Sequence, residues 1–232
     1  MNDFDLFIIG AGSGGVRAAR YASSLGIRTG IAEGWSLGGT CVNRGCIPKK
    51  LYSYASNFKD EIELMNSFGW KTQIKNFNWK KLVFNKKKEL SRLNEIYKNL
   101  LLKSNVAIFN GYASFLNENE IKINNKTISS KNFIIAVGTR PKKINFTNSK
   151  NTITSDEVFD IKNLPKKLLI LGGGYIAIEL ASIFNGFGVD TTVSIRSNKI
   201  LKGFDIDSVK FLMNQMEMKG IKFLTKKFPV DI

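Results

Sequence analysis

The chain opens on Phe4–Ile9, a short apolar run bounded by Gly10. A run of this length suits a strand covered on both faces of a parallel sheet. Val16 to Leu25 continues at helical spacing and stops at Gly26, and Arg28 to Ala32 reads as a second strand. Leu51 to Phe68 predicts a helix closed by Gly69-Trp70. Trp79, Leu82, Val83, Leu90, Leu93, Tyr97, Leu100 and Leu101 recur at helical spacing. They predict one long amphipathic helix with a packing stripe, its opposite face carrying Lys80, Lys81, Lys86, Lys87 and Lys88. Val106 to Ile128 alternates with Asn and Gly breaks and predicts a three-stranded antiparallel meander, with Asn124-Asn125 as a turn. Asn132 to Val137 returns as a buried strand. After a polar linker from Lys142 to Pro165, strands at Leu168–Leu171, Thr191–Ile195 and Ile221–Leu224 alternate with helices ending near Phe187 and Met218. Strand and helix alternating twice predict an α/β fold of two units with parallel sheets flanked by helices. The expected division is 1–150 and 151–232, the second unit being cut short.

The turns after the first strand of each unit change the picture. Gly10, Gly12 and Gly15 stand as G-x-G-x-x-G, with Ser13 and Gly14 at the mouth of the helix that follows. Such glycines allow a tight turn, close approach of a pyrophosphate and close helix–strand packing, while the opening amides of the helix face the phosphates. Glu33 lies about twenty residues on, where an acidic side chain binds a ribose hydroxyl. The second unit repeats the pattern with Gly172, Gly174 and Ala177, but Arg196 occupies the place of Glu33. A carboxylate there would repel a ribose 2′-phosphate, whereas a guanidinium can hold it bidentately. The sequence therefore predicts two dinucleotide sites, the second for NADPH rather than NADH.

Composition adds limits. Apolar residues make up 43% of 232, enough for a packed core, and no run of eighteen apolar residues predicts a membrane span. The acidic start lacks the basic region of a signal peptide, so a cytoplasmic location is expected. The net charge is +16, yet the lysines are dispersed and no nucleic-acid motif accompanies them. A positive field equally draws in small anionic ligands. There is no histidine, which disfavours a zinc site.

The only two cysteines lie in Gly38-Gly39-Thr40-Cys41-Val42-Asn43-Arg44-Gly45-Cys46-Ile47-Pro48-Lys49-Lys50. A continuous helix would separate the two by about 7.5 Å along its axis, too far for a disulfide. Gly38, Gly39 and Gly45 let the backbone depart from helix, and Pro48 suits a first helical turn. The amides of that turn, with Lys49 and Lys50, are expected to favour a thiolate. From spacing alone a reactive pair and two buried core cysteines stay equally open.

The stretch GGTCVNRGCIPKK resembles the redox-active motif of the flavin-dependent pyridine nucleotide-disulfide oxidoreductases (class I) and, within that family, the branch that reduces glutathione disulfide. Lys49-Lys50 and Arg196 speak against the lipoamide dehydrogenase branch, which typically has Ser-Lys after the proline. The resemblance implies that the first unit binds FAD, with Glu33 on the adenosine ribose and Thr40, Lys49 and Gly138 near the cofactor. It implies that Cys46 faces the flavin, that Cys41 exchanges with glutathione disulfide, and that Glu179 pairs with Lys49. Gly172, Gly174, Tyr175, Ile176, Ala177, Arg196 and Lys202 would serve NADPH, Tyr175 covering the flavin. Ser13, Arg20, Ile96 and Tyr97 would touch glutathione, with Arg17 adding positive charge nearby.

The implied reaction is hydride transfer from NADPH to FAD, then electron transfer to a Cys41–Cys46 disulfide. Two departures stand out. Ala136-Val137-Gly138 replaces the family's Ala-Thr-Gly, losing a hydroxyl. The resemblance runs to about Leu224 but over only half of the family's usual length, without the histidine-bearing interface domain expected to form a homodimer. It implies an N-terminal fragment, with a non-catalytic dinucleotide-binding remnant as the alternative.

Overall fold

A computed structural model describes residues 2–73, 76–142, 144, 151–227 and 229. Its elements run β1 Phe4–Ile9, α1 Ser13–Ser24, β2 Thr29–Glu33, α2 Gly39–Asn43, α3 Cys46–Ser67, α4 Trp79–Lys103, β3 Ala107–Asn110, β4 Ala113–Asn117, β5 Glu120–Ile123, β6 Lys126–Ile135, β7 Lys167–Leu171, α5 Tyr175–Gly186, β8 Asp190–Ile195, α6 Ile206–Met218 and β9 Lys222–Thr225. The mixed α/β class expected from the sequence is the class observed.

The chain forms two compact units, one of Met1–Pro48 with Asn85–Pro141, the other of Lys49–Phe84 with Lys142–Ile232. The single cut expected near residue 150 differs from this division. Tyr52 and Trp79 explain the difference, because both are buried against Val158, Phe159, Leu180 and Phe184. Their rings meet edge-on at 5.2 Å, the Tyr52 hydroxyl donates to the Phe159 carbonyl at 2.8 Å, and the Trp79 indole donates to the Ile161 carbonyl at 2.9 Å. Part of the expected linker, residues 143 and 145–150, and residues 228 and 230–232, past the end of the resemblance near Leu224, lie outside the described residues.

In the first unit one six-stranded sheet has the order β3-β2-β1-β6-β5-β4. β1 pairs in parallel with β2 and β6, and β2 in parallel with β3, setting Leu6 opposite both Thr29 and Asn132. Ile8 and Ile31 turn to one face, against Val16 and Ala19 of α1 and Leu101 of α4. Phe7 and Ala32 turn to the other, against Ile121, Ile123 and Ile128 of β5 and β6. This is the alternation that a strand dictates.

The meander differs from expectation. The strand at Ala107–Asn110 joins the parallel sheet, and the third hairpin strand and the returning strand are one continuous β6. β6 pairs antiparallel with β5 over Lys126–Ser129 and parallel with β1 over Ser130–Ile135. Apolar content alone could not reveal this, since no turn residue was needed in the middle. Nor is the end of the expected strand buried: Ile135 and, just past β6, Val137 are 66% and 65% exposed.

In the second unit β7-β8-β9 form a parallel sheet. α5 is apolar on nearly every face, with Ala177, Ile178, Leu180, Ala181, Ile183 and Phe184 buried. Asp205 caps α6 by accepting from the Ser208 amide at 2.9 Å, one of the four orphan donors a helix leaves at its start. No helix among the described residues is long and apolar enough to cross a membrane.

Candidate active site

The first glycine turn is built as its spacing requires. Gly10 has φ +103° and its amide donates to the Ala32 carbonyl at 2.8 Å, while a Cβ there would stand 2.4 Å from the Ala136 carbonyl oxygen. At Gly15 a Cβ would lie 1.8 Å from the Gly10 carbonyl oxygen, so α1 packs on the turn with no room for a methyl group. Gly12 and Gly14 have another reason to be glycine. A Cβ at Gly12 would meet only the Gly39 Cα, at 3.7 Å, and one at Gly14 would meet nothing within 4 Å. They border open space at the start of α1, whose first turn has neither an acidic residue nor a side-chain cap. Uncapped amides beside a space that methyl groups would narrow fit a pyrophosphate. Gly138, with φ +68° and no neighbour within 4 Å of its Cβ position, lies past the end of β6.

Glu33 makes structural bonds not anticipated from sequence. Its carboxylate accepts from the Ala11 amide and from the Trp35 amide, each at 2.8 Å. These bonds tie the end of β2 to the glycine turn. Each carboxylate oxygen has two acceptor sites, so the carboxylate is oriented by backbone and retains capacity for a ribose hydroxyl.

The cysteine segment folds as two short helical pieces. α2 carries Cys41, Arg44 and Gly45 break the helix, and α3 starts at Cys46, five residues earlier than Leu51. The glycine turn supports it directly: the Gly38 amide donates to the Ala11 carbonyl at 2.8 Å, and Gly39, φ +60°, sits so that a Cβ would be 2.6 Å from the Gly12 Cα. Cys41 is half-buried and Cys46 exposed, both as thiols, with a hydrogen bond between their side chains. Burial, then the contact with Cys46, pushes the Cys41 thiol up to about 11, although the Cys46 amide pulls the other way. This corrects the expectation of a thiolate-favouring site for Cys41. Of the two lysines expected to act there, Lys49 donates to the Glu179 carboxylate at 2.8 Å.

Three side chains that were given no role in the sequence reading shape the segment. The Asn43 amide nitrogen donates to the Leu37 and Gly39 carbonyls, both at 3.0 Å, and its oxygen accepts from Asn94 at 3.0 Å. The Arg44 guanidinium lies 3.4 Å over the Trp35 ring.

The remaining first-unit candidates fall on α1 and α4. Ser13, Arg17 and Arg20 are exposed on α1, and Arg20 reaches the Ser104 hydroxyl at 3.4 Å. On α4, Tyr97 is half-buried against the core and Ile96 is 38% exposed. Lys86, expected on the solvated face of this helix, is instead buried at 2% exposure. Thr40 is exposed on α2.

In the second unit Gly172, φ +128°, and Gly174 have no neighbour within 4 Å of their Cβ positions, and the first turn of α5 likewise lacks an acidic residue and a side-chain cap. The residue between them, Gly173, is packed: a Cβ would be 2.9 Å from Ile195 and 3.3 Å from the Ile200 Cα. Its carbonyl accepts from the Leu201 amide at 2.6 Å. This bond folds the loop bearing Arg196 and Lys202, both exposed, back onto the glycine turn. Tyr175 and Ile176, the first residues of α5, are 65% and 44% exposed, while Ala177 is buried. Lys49 and Glu179 belong to this unit.

A family profile described as pyridine nucleotide-disulphide oxidoreductase matches residues 4–232. The chain is 42% identical to a glutathione reductase of Burkholderia cepacia, over 94% of this chain and 49% of that protein. It is also 42% identical to a chloroplastic/mitochondrial glutathione reductase of Pisum sativum, over 99% of this chain and 44% of that protein. A glutathione reductase of a Nostoc strain is 38% identical over 97% of this chain and 49% of its own length. The chain thus spans about half the length of the curated relatives it matches. With two glycine turns and a dithiol seated on the first, it belongs to the pyridine nucleotide-disulphide oxidoreductase family.

Proposed function

We propose that this chain carries the dithiol, FAD and NADPH sites of a reductase of glutathione disulfide. The observation that carries the reading is the seating of the hydrogen-bonded Cys41–Cys46 pair on the first glycine turn, through the Gly38–Ala11 bond and the Gly39–Gly12 contact. In the net reaction NADPH, a proton and glutathione disulfide give NADP⁺ and two molecules of glutathione. The functional division is a FAD domain over 1–150 and an NADPH domain over 151–232.

The residues have separate roles. Gly10, Gly12, Ser13, Gly14 and Gly15 shape the pyrophosphate turn of FAD, and Glu33 accepts from the ribose. Gly172, Gly174, Tyr175, Ile176 and Ala177 do the same for NADPH, with Arg196 and Lys202 at its 2′-phosphate. Bound FAD supplies the two-electron passage between the reduced nicotinamide and the cysteine pair. Cys41, as thiolate, attacks one sulfur of glutathione disulfide and releases one glutathione thiolate. Cys46 then attacks the mixed disulfide at Cys41, releasing the second and closing the Cys41–Cys46 disulfide. Ser13, Arg20, Ile96 and Tyr97 hold the substrate, Arg20 by charge. Lys49, paired with Glu179, sets the charge on α3.

Dinucleotide binding with little turnover is a second reading, favoured by the rise of Cys41 to about 11 and by the absence of any histidine in this sequence to take the exchanged proton. One experiment addresses both. The purified chain is loaded with FAD, freed of excess, reduced with NADPH under anaerobic conditions, and mixed with glutathione disulfide. Retained visible flavin absorption and two glutathione thiols per disulfide consumed are expected in a single turnover. Flavin loss together with an unoxidised Cys41–Cys46 pair would overturn the reductase reading. Flavin retention with no thiol release would leave the binding reading.

A further inference from the structure

The turn between the cysteines is held by a polar network that the exchange chemistry itself does not use. Both hydrogens of the Asn43 amide are placed, one on the Leu37 carbonyl and one on the Gly39 carbonyl, each at 3.0 Å. The Asn43 oxygen takes a hydrogen from Asn94 at 3.0 Å, and Asn94 gives its other hydrogen to the Leu90 carbonyl at 2.9 Å. The two amides are thus fully used as donors. Both side chains are half-buried. A network with every donor satisfied fixes one arrangement, whereas a broken one leaves buried groups unpaired.

Its placement gives it a chemical consequence. Asn43 lies between Cys41 and Cys46 and closes α2 back onto its own first turn. Asn94 lies on α4, one turn or less before Ile96 and Tyr97. The backbone of α2 is five residues long and cannot hold its shape by helix propagation alone. Something else must keep the two thiols at bonding distance.

We propose that Asn43 and Asn94 are positioning residues for the dithiol, forming a latch that anchors the cysteine turn to α4 and so sets the equilibrium between the Cys41–Cys46 dithiol and its disulfide. The proposal rests on the reductase reading. Two thiols held in register have a high effective concentration toward each other. Releasing the turn lowers it and shifts the balance toward the dithiol.

The test equilibrates the whole chain, wild type and variants, with mixtures of glutathione and glutathione disulfide. In that reaction two cysteine thiols and one glutathione disulfide give one protein disulfide and two glutathione molecules, quantified by acid quench and mass. Asn94→Ala and Asn43→Ala are each expected to lower the equilibrium constant about tenfold, about 30 mV for a two-electron couple. The double variant should be little worse than either single one, as expected of partners in one network. Asn94→Asp is the second probe, keeping the shape but removing the donor and setting two oxygens against each other. It should match Asn94→Ala. Melting curves show which variants are folded. Folded variants with wild-type equilibrium constants would overturn the latch while leaving the reductase reading intact. A wild-type pair that forms no disulfide in any mixture would overturn both.

Discussion

At the scale of single residues the glycines divide into two kinds, and the division can be tested. Gly15 is glycine because backbone stands 1.8 Å from where its Cβ would be. Gly12 faces open space apart from a 3.7 Å contact, and its φ of −77° suits any residue. Gly15→Ala is therefore expected to destabilise the fold by about 3 kcal/mol or more, because backbone must move. Gly12→Ala should change stability by less than about 1 kcal/mol yet weaken FAD retention at least tenfold, since its methyl group enters the pyrophosphate space. Thermal melting beside flavin stoichiometry separates the two, and equal losses of stability would refute the distinction. Cys41 makes a pH prediction. Its thiol is raised from 9.0 to about 11 chiefly by burial, so its alkylation should keep rising between pH 8 and pH 10 without a plateau. The same shift means the fold holds its proton more tightly than the unfolded chain does. The associated stability is full below pH 9 and declines as pH rises toward 11. Trypsin cleaves after Arg44, which puts Cys41 and Cys46 on separate peptides and lets mass spectrometry read the Cys41 rate alone. A plateau near pH 8 would show that Cys41 is an activated thiol.

At the scale of elements, α3 shows best how packing decides what propensity leaves open. Tyr52 is fully buried, and its hydroxyl donates to the Phe159 carbonyl among the rings of Trp79 and Phe159. Tyr52→Phe keeps the rings and removes one bond to a buried carbonyl, for a cost of about 1–2 kcal/mol. Trp79→Ala removes the edge-on partner and leaves a cavity, for a cost of about 3–5 kcal/mol. Chemical denaturation of both variants gives the order, and a Tyr52→Phe loss as large as that of Trp79→Ala would refute it. These two residues also mark what the sequence could and could not convey. β1, α1, β2, α5 and β8 were legible because glycine turns bracket short apolar runs, leaving one reading of each. The glycine turns were legible from their spacing between strand and helix, and the dithiol from the motif that surrounds it. The discontinuous make-up of the second unit was not, since Tyr52 and Trp79 look like any helical core positions until Phe159 and Phe184 are seen beside them. Continuity of β6 was hidden because one strand changes partners halfway. Burial of Lys86 was hidden because lysine carries a solvent expectation that a helix face can override. Asn43 and Asn94 were invisible for a different reason: an asparagine's role is its bonding partners, and spacing does not name them.

At the scale of the whole molecule the dominant feature is charge, with 35 lysines and arginines against 19 acids. The proposed ligands are all anions, so two electrostatic effects must be separated. The summed field acts over distance, speeds encounter and is screened within about 8 Å at physiological salt. In the proposed site Arg196 and Lys202 would act at contact, on the loop pinned to the second glycine turn by the Leu201–Gly173 bond. A distant field draws NADPH more strongly than NADH during approach, because it reads total charge, whereas a guanidinium on the 2′-phosphate holds the one group that differs once the nucleotide is bound. The field should therefore appear in association rates and the arginine in dissociation rates. In stopped-flow fluorescence, association of both nucleotides is expected to slow about five- to tenfold between low salt and 0.5 M salt. Arg196→Gln should raise NADPH dissociation at least tenfold, change its association less than about twofold, and leave NADH dissociation unchanged. If the variant instead slowed NADPH association and spared dissociation, the preference for the phosphorylated nucleotide would belong to the diffuse charge, and the substitution of an arginine where the first unit has Glu33 would lose its meaning.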